Sequence, residues 1–158
     1  MLVQWLYLGQ VIFDEPTPAE CITAIIEFVR LADMCKVKGM ETLMADRTKA
    51  IILANAAPEK ESIEGPDPDS NTYHLVDQHI TSAALLPNGH PIRKVLATAA
   101  VDGYIRRNSY RFLNQMCQSP DFAFDLLLEV KETLKTVESG PLLTFTDPFS
   151  GKILPFVN

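Results

Sequence analysis

The sequence predicts a mainly helical fold: about six or seven helices in two lobes, with at most a small β-hairpin at the C-terminus. Three observations lead there. Apolar residues recur at three- and four-residue spacing through most of the 158 positions. Helix-start chemistry stands at Thr17-Pro18-Ala19-Glu20 and again at Ser119-Pro120-Asp121. An acidic, proline-bearing stretch, 55–72, separates a first helical segment, 1–54, from a second, 73–140, and leaves a tail at 141–158.

Residues 1–8 have helix-forming character and stop at Gly9, and Val11-Ile12-Phe13 is a short β-type run. Thr17 then caps, Pro18 suits the first helical position, and Glu20 completes a capping box. The helix that follows carries Ile22, Ile25, Ile26, Val29 and Ala32 on one row and Phe28, Leu31 and Cys35 on a second, so burial on two sides is expected. Lys36 and Lys38 suit its negative end and Gly39 its stop. A further helix over 40–54 is expected to place Leu43, Met44, Arg47 and Ile51 on one side.

The 55–72 stretch sets Glu59, Glu61, Glu64, Asp67 and Asp69 against Lys60, and reads as a solvated linker. After it, Asn71 or Thr72 caps a helix through Leu86 that buries Tyr73, Val76, Ile80 and Ala83. His90-Pro91 turns the chain into a helix with Ile92, Val95, Leu96, Ala99 and Gly103 on one face. Tyr110, Leu113 and Cys117 suggest a short helix. The last long one is expected to use Phe124, Leu127, Leu128 and Leu134, with Val130 and Val137 beside them, and to end at Gly140. In the tail, β-type residues flank Asp147-Pro148-Phe149-Ser150-Gly151, and Pro155 confines its strand to an edge.

Composition bounds the function. At 47% hydrophobic and 22% charged, the chain belongs among globular proteins. A formal net charge of -6 repels phosphate backbones, so general nucleic-acid binding is disfavoured. No segment reaches the roughly 20 apolar residues that cross a bilayer, and no basic leader opens the sequence. Three cysteines, Cys21, Cys35 and Cys117, form no C-x-x-C pair and read as reduced, buried thiols of an intracellular protein, cytoplasmic or nuclear.

Catalytic patterns are missing. His74 and His79 lie about 140° apart on a helix and do not converge on a metal; His90 reads as a turn and cap residue. There is no glycine-rich phosphate loop and no G-x-S-x-G elbow, so no cofactor is expected. Two other classes remain open: a small hydrolase or transferase using Cys117 or a histidine, and a regulatory nucleic-acid binder using Arg106, Arg107 and Arg111 among Tyr104, Tyr110 and Phe112. The arginines are expected instead to pair with carboxylates or cap helix ends.

The stretch LVQWLYLGQVIF, followed by ECITAIIEFVRLADMCKVKGMETLMADR, resembles the second half of a BTB/POZ domain, as found in fungal BTB proteins. Trp5-Leu6-Tyr7-Leu8-Gly9 matches the family's helix-ending turn and Ala32-Asp33 the end of its following helix; 40–54 matches the last one. HITSAALLPNGHPIRKVLATAAVDGYI and DFAFDLLLEVKETL look like the family's helical extension. The resemblance implies a non-enzymatic, self-associating adaptor, with cullin-3 type ligases or transcriptional regulators among possible partners. Phe13-Asp14-Glu15 fits the hydrophobic-x-Glu triplet of the cullin adaptors. The resemblance covers the family's second half and not its N-terminal β/α half. Trp5, Leu6 and Tyr7, with Phe13 and Glu15, are therefore the expected partner-binding residues, and the first three are expected to be covered by the C-terminal helices or by a second copy.

Overall fold

A computed structural model describes residues 1–57 and 69–156; among them the chain is mainly helical, with a small antiparallel sheet near its C-terminus. The centre is the helix Pro91–Arg106 (α5 in chain order), which packs mainly against three other helices and a 3-10 turn. Its sequence explains its position. Ile92, Leu96, Ala97, Ala99, Ala100, Val101 and Gly103 are all buried, and the small residues among them let neighbours approach from several sides.

Before it come α1 (Leu2–Leu8), α2 (Pro18–Met34), α3 (Glu41–Ala54), a 3-10 turn (Ser70–Thr72) and α4 (Asp77–Ala83); after it, α6 (Leu113–Gln118) and α7 (Pro120–Leu134). Helices α3 and α7 pack on α5, and α2 packs on α3 and α4. One buried cluster runs from Val11 and Phe13 through α2, α3, α4, α5 and α7 to Phe149, so both helical segments of the sequence share a core.

The start of α2 is as expected: the Thr17 hydroxyl accepts the Glu20 N–H at 3.2 Å and donates to the Glu20 carboxylate at 2.6 Å. Its buried residues are Ile22, Ile25, Ile26, Phe28, Val29 and Ala32. Of the second row only Phe28 is buried, because Leu31 and Cys35 are exposed. The helix also stops before Gly39. Lys36 takes the left-handed conformation, φ 58°, and the Val37 N–H returns to the Ala32 carbonyl at 2.9 Å.

Several faces differ from the periodicity reading. On α3 the buried residues are Met44, Ala45, Thr48 and Ile52, while Leu43 is exposed. Thr48 fits there because its hydroxyl donates to the Met44 carbonyl at 2.9 Å. On α7 the buried row is Phe122, Leu126, Val130 and Thr133; Phe124, Leu127, Leu128 and Leu134 are exposed. The helix expected from 72 to 86 is confined to α4, preceded by the 3-10 turn, with Tyr73 and Val76 exposed and Leu75, His79 and Ile80 buried. Val11-Ile12-Phe13 forms no strand: it alternates buried, exposed, buried, yet pairs with no strand among the described residues.

Glu59, Lys60, Glu61, Glu64 and Asp67 of the acidic stretch lie outside the described residues. Its end is packed: Asn71 and Thr72 are buried in the 3-10 turn, which rests on α5 and α3. In the tail, β1 (Glu138–Ser139), β2 (Leu143–Thr146) and β3 (Ile153–Pro155) lie in the order β1-β2-β3. Phe145 faces Leu154 across β2 and β3, both buried, and Pro155 sits on an edge strand as expected. The turn between them is organised by the Asp147 carboxylate. It accepts the Phe149 and Ser150 N–H groups at 3.2 and 3.0 Å and the buried Asn71 amide at 3.0 Å. That last bond ties the hairpin to the 3-10 turn, 76 residues earlier.

Candidate interaction surface

Helix α1 buries no residue completely. Its inner row, Leu2 and Trp5, is half-buried against the core, and it lies on α2. Gly9 ends it in the left-handed conformation, φ 64°, with its N–H on the Trp5 carbonyl at 2.9 Å. The outward row is apolar as well. Val3, Leu6 and Tyr7 stand at helical spacing on one side, Leu8 follows, and Leu6 and Tyr7 are 60% and 84% exposed. Ile12, just beyond the helix, is 68% exposed. The C-terminal helices therefore do not cover Leu6 and Tyr7, contrary to one of the two expectations for these side chains.

Phe13 is placed differently from its neighbours. It is 8% exposed, meets the Phe28 ring edge-on at 6.0 Å, and lies under the Arg47 guanidinium at 4.7 Å. Arg47 also donates to the Val11 carbonyl at 3.0 Å, which fastens this segment to α3. Phe13 is thus a core residue in this chain and offers no surface to a partner, while Glu15 is exposed. Of the five expected partner-binding residues, the fold presents Leu6, Tyr7 and Glu15, half-presents Trp5 and withholds Phe13.

The other candidate groups are mostly absorbed into the scaffold. Arg106 pairs with Asp102 inside the core at 2.5 and 2.7 Å, and Arg107 with Asp69 at 2.8 Å. Arg111 donates to the Thr72 and Leu75 carbonyls, both at 2.7 Å, and lies over the Phe112 ring. Burial pushes the Asp102 carboxyl up to about 6, against the pull of Arg106. His79 bridges α4 to α2. Its Nδ1 accepts the Val76 N–H at 3.1 Å, so Nε2 carries the proton and reaches the Ala19 carbonyl at 3.1 Å and the Thr23 hydroxyl at 2.8 Å. Burial holds the His79 imidazole below its usual pKa.

His90 caps α5 as expected, its Nδ1 accepting the Ile92 N–H at 3.1 Å. The cysteines differ from their expected burial: Cys21 is half-exposed, and Cys35 and Cys117 are exposed. Among the described residues no group of three or more His, Cys, Asp or Glu side chains is arranged to hold a metal ion, and no helix is long and apolar enough to cross a membrane.

No family model, curated protein or solved structure matches this chain.

The surface is therefore judged on its own physics. Single exposed apolar side chains are ordinary, but Val3, Leu6 and Tyr7 share one face of a short helix, an arrangement of the kind that partners cover. What sequence reasoning missed is the second such surface, the outward row of α7. Its signal was the presence of two apolar rows on that helix, of which only one could face α5.

Proposed function

We propose that this chain is a non-enzymatic protein–protein interaction module of BTB/POZ type, self-associating through the outward face of α1. The observation that carries the reading is the exposed row Val3, Leu6 and Tyr7, with Leu8 and Ile12 also exposed. The glycine stop at Gly9 and the position of Ala32-Asp33 at the end of α2 are in keeping with the family pattern. A cullin-type partner gains no support from Phe13-Asp14-Glu15, because the first residue of the triplet is committed to the core. The module works as an adaptor or scaffold inside the cell, with a second copy as its first partner.

The strength expected of such a contact follows from the side chains. Burying five apolar groups on each of two copies at about 1.5 kcal/mol each contributes about 15 kcal/mol. Lost freedom on association costs about 4–15 kcal/mol, and ordering the side chains costs more. A contact this small is therefore expected at weak, micromolar strength. Sedimentation velocity across dilution from roughly 500 to roughly 1 μM therefore spans the transition. Dimer at the top of that range, and monomer throughout for Leu6→Glu and Tyr7→Glu with unchanged far-UV circular dichroism, support the proposal. A wild-type chain that stays monomeric at every concentration sinks it.

A further inference from the structure

Helix α4 starts at Val76, whose side chain cannot cap it. The cap comes from His79 in the first turn, where Nδ1 accepts the Val76 N–H at 3.1 Å. The same ring reaches a second helix. Its Nε2 donates to the Ala19 carbonyl at 3.1 Å and to the Thr23 hydroxyl at 2.8 Å, and that hydroxyl donates its own proton to the Ala19 carbonyl at 3.0 Å. Each nitrogen therefore has one fixed role. Nδ1 must accept, because it meets a backbone N–H; Nε2 must donate, because it meets a carbonyl. Only the neutral ring with its proton on Nε2 fills both.

A proton on Nδ1 would set two N–H groups against each other and leave a charge on a ring that is 1% exposed. The neighbouring elements offer that charge no partner. On α2, Glu20 is exposed and holds the Thr17 hydroxyl, and the half-exposed Cys21 thiol lies on the Glu15 carbonyl. On α4, Asp77 is exposed, and His74 before it meets the Tyr73 ring. On α5, the residue beside Ile80 and Ala83 is Arg93, which carries the same sign and is bound to Asp125. Helix α6 carries no charged side chain, only the Cys117 thiol. Burial holds the His79 ring below its ordinary pKa against the pull of the Ala19 carbonyl, and no charge among the described residues contributes.

We propose that His79 is an acid-released latch between α4 and α2. When Nδ1 takes up a proton, the ring and the Val76 N–H must part; whichever moves, α4 loses its cap, its bridge to α2, or both. This seven-residue helix then opens while α5, packed on α3 and α7, stays closed. His90 makes the contrast. Its Nδ1 also accepts a helix N–H, but its Nε2 meets no acceptor among the described residues, so protonating it loosens a cap and unties no neighbour.

The test is amide hydrogen exchange of the full chain, read by NMR as protection factors from about pH 7.5 to about pH 4.5, with the His79 ring nitrogens followed in the same samples. At neutral pH the proton should sit on Nε2. Below about 6.5, protection of the α4 amides should fall by up to about tenfold per pH unit and vanish while the α5 amides remain protected. In His79→Asn the side-chain oxygen still accepts the Val76 N–H and nothing titrates, so α4 protection should not vary with pH. Thr23→Val keeps the ring and removes one acceptor of Nε2; its α4 protection should be about threefold or more below the parent's, with that of α5 unchanged. A neutral-pH proton on Nδ1, α4 protection that persists to the acid end of the range, α4 and α5 amides that lose protection together, an acid loss in His79→Asn as steep as the parent's, or parental α4 protection in Thr23→Val each overturns the proposal.

Discussion

Arg93 to Met is the substitution that most directly tests how the helices are tied together. The Arg93 side chain is 3% exposed and makes four hydrogen bonds. Nε reaches the Asp125 carboxylate at 2.8 Å. Nη1 reaches the Leu86 carbonyl at 3.1 Å and the Asn88 side chain at 2.7 Å, and Nη2 the Asp121 carbonyl at 3.1 Å. One guanidinium thus joins the turn after α4, the first turn of α5 and the first turn of α7. Methionine keeps much of the volume and removes every donor. The Asp125 carboxylate, 16% exposed, then has no cation, and two backbone carbonyls lose their donors. Breaking a buried pair by removing one partner costs about 3–5 kcal/mol. With a urea slope of about 2 kcal/mol/M, the midpoint should fall by about 1.5–2.5 M. Asp125→Ala removes one charge-assisted bond and leaves the other three, so it should cost about 1.5–3 kcal/mol. In the double variant Arg93→Met/Asp125→Leu, the loss should be smaller than the sum of the two single losses, because no charge is left stranded. Urea unfolding followed by circular dichroism measures all three. A midpoint for Arg93→Met within about 0.5 M of the parent would refute the reasoning, since a slope of that size turns it into only about 1 kcal/mol.

Acid dependence gives a second prediction. His79 and His90 are neutral in the fold with depressed pKa values, so their contribution is present above about 6.5 and is lost as pH falls through their folded values. Asp102 runs the other way: raised from 3.8 to about 6, it binds its proton more tightly when folded, and its contribution declines as pH rises between those values. The two partly offset, so stability measured by urea from pH 6.5 down to 4.5 should fall more steeply in Asp102→Asn than in the parent; an equal or shallower fall contradicts this. Asp147→Ala strips the β2–β3 turn of its acceptor and strands the buried Asn71 amide. At about 2–3 kcal/mol this should lower the melting temperature by about 5–10 °C in differential scanning calorimetry, with Asp147→Asn losing less. Thr17→Ala should cost about 1 kcal/mol through the α2 cap alone, and no measurable loss would show that the capping bonds are not formed.

The amino-acid sequence determined what depends on neighbours within one turn. The Thr17 cap and Pro18 start of α2, the His90 cap of α5, the Gly9 stop of α1 and the edge position of Pro155 are local steric and hydrogen-bond rules, and they can be read without the rest of the chain. Only the tertiary structure decided which side of an apolar helix turns inward. Helix α7 carries two rows, Phe122-Leu126-Val130 and Phe124-Leu127-Leu128, with similar apolar content, and contact with α5 selects the first. It likewise selected Met44 over Leu43 on α3, seated Phe13 between Phe28 and Arg47, and left Leu6 and Tyr7 outward. Arg93 gave no signal at all, because a charged side chain is accepted in a core only when distant acceptors converge on it. Periodicity records that a helix has apolar faces; burial is assigned by the shapes and charges that the rest of the chain brings against them.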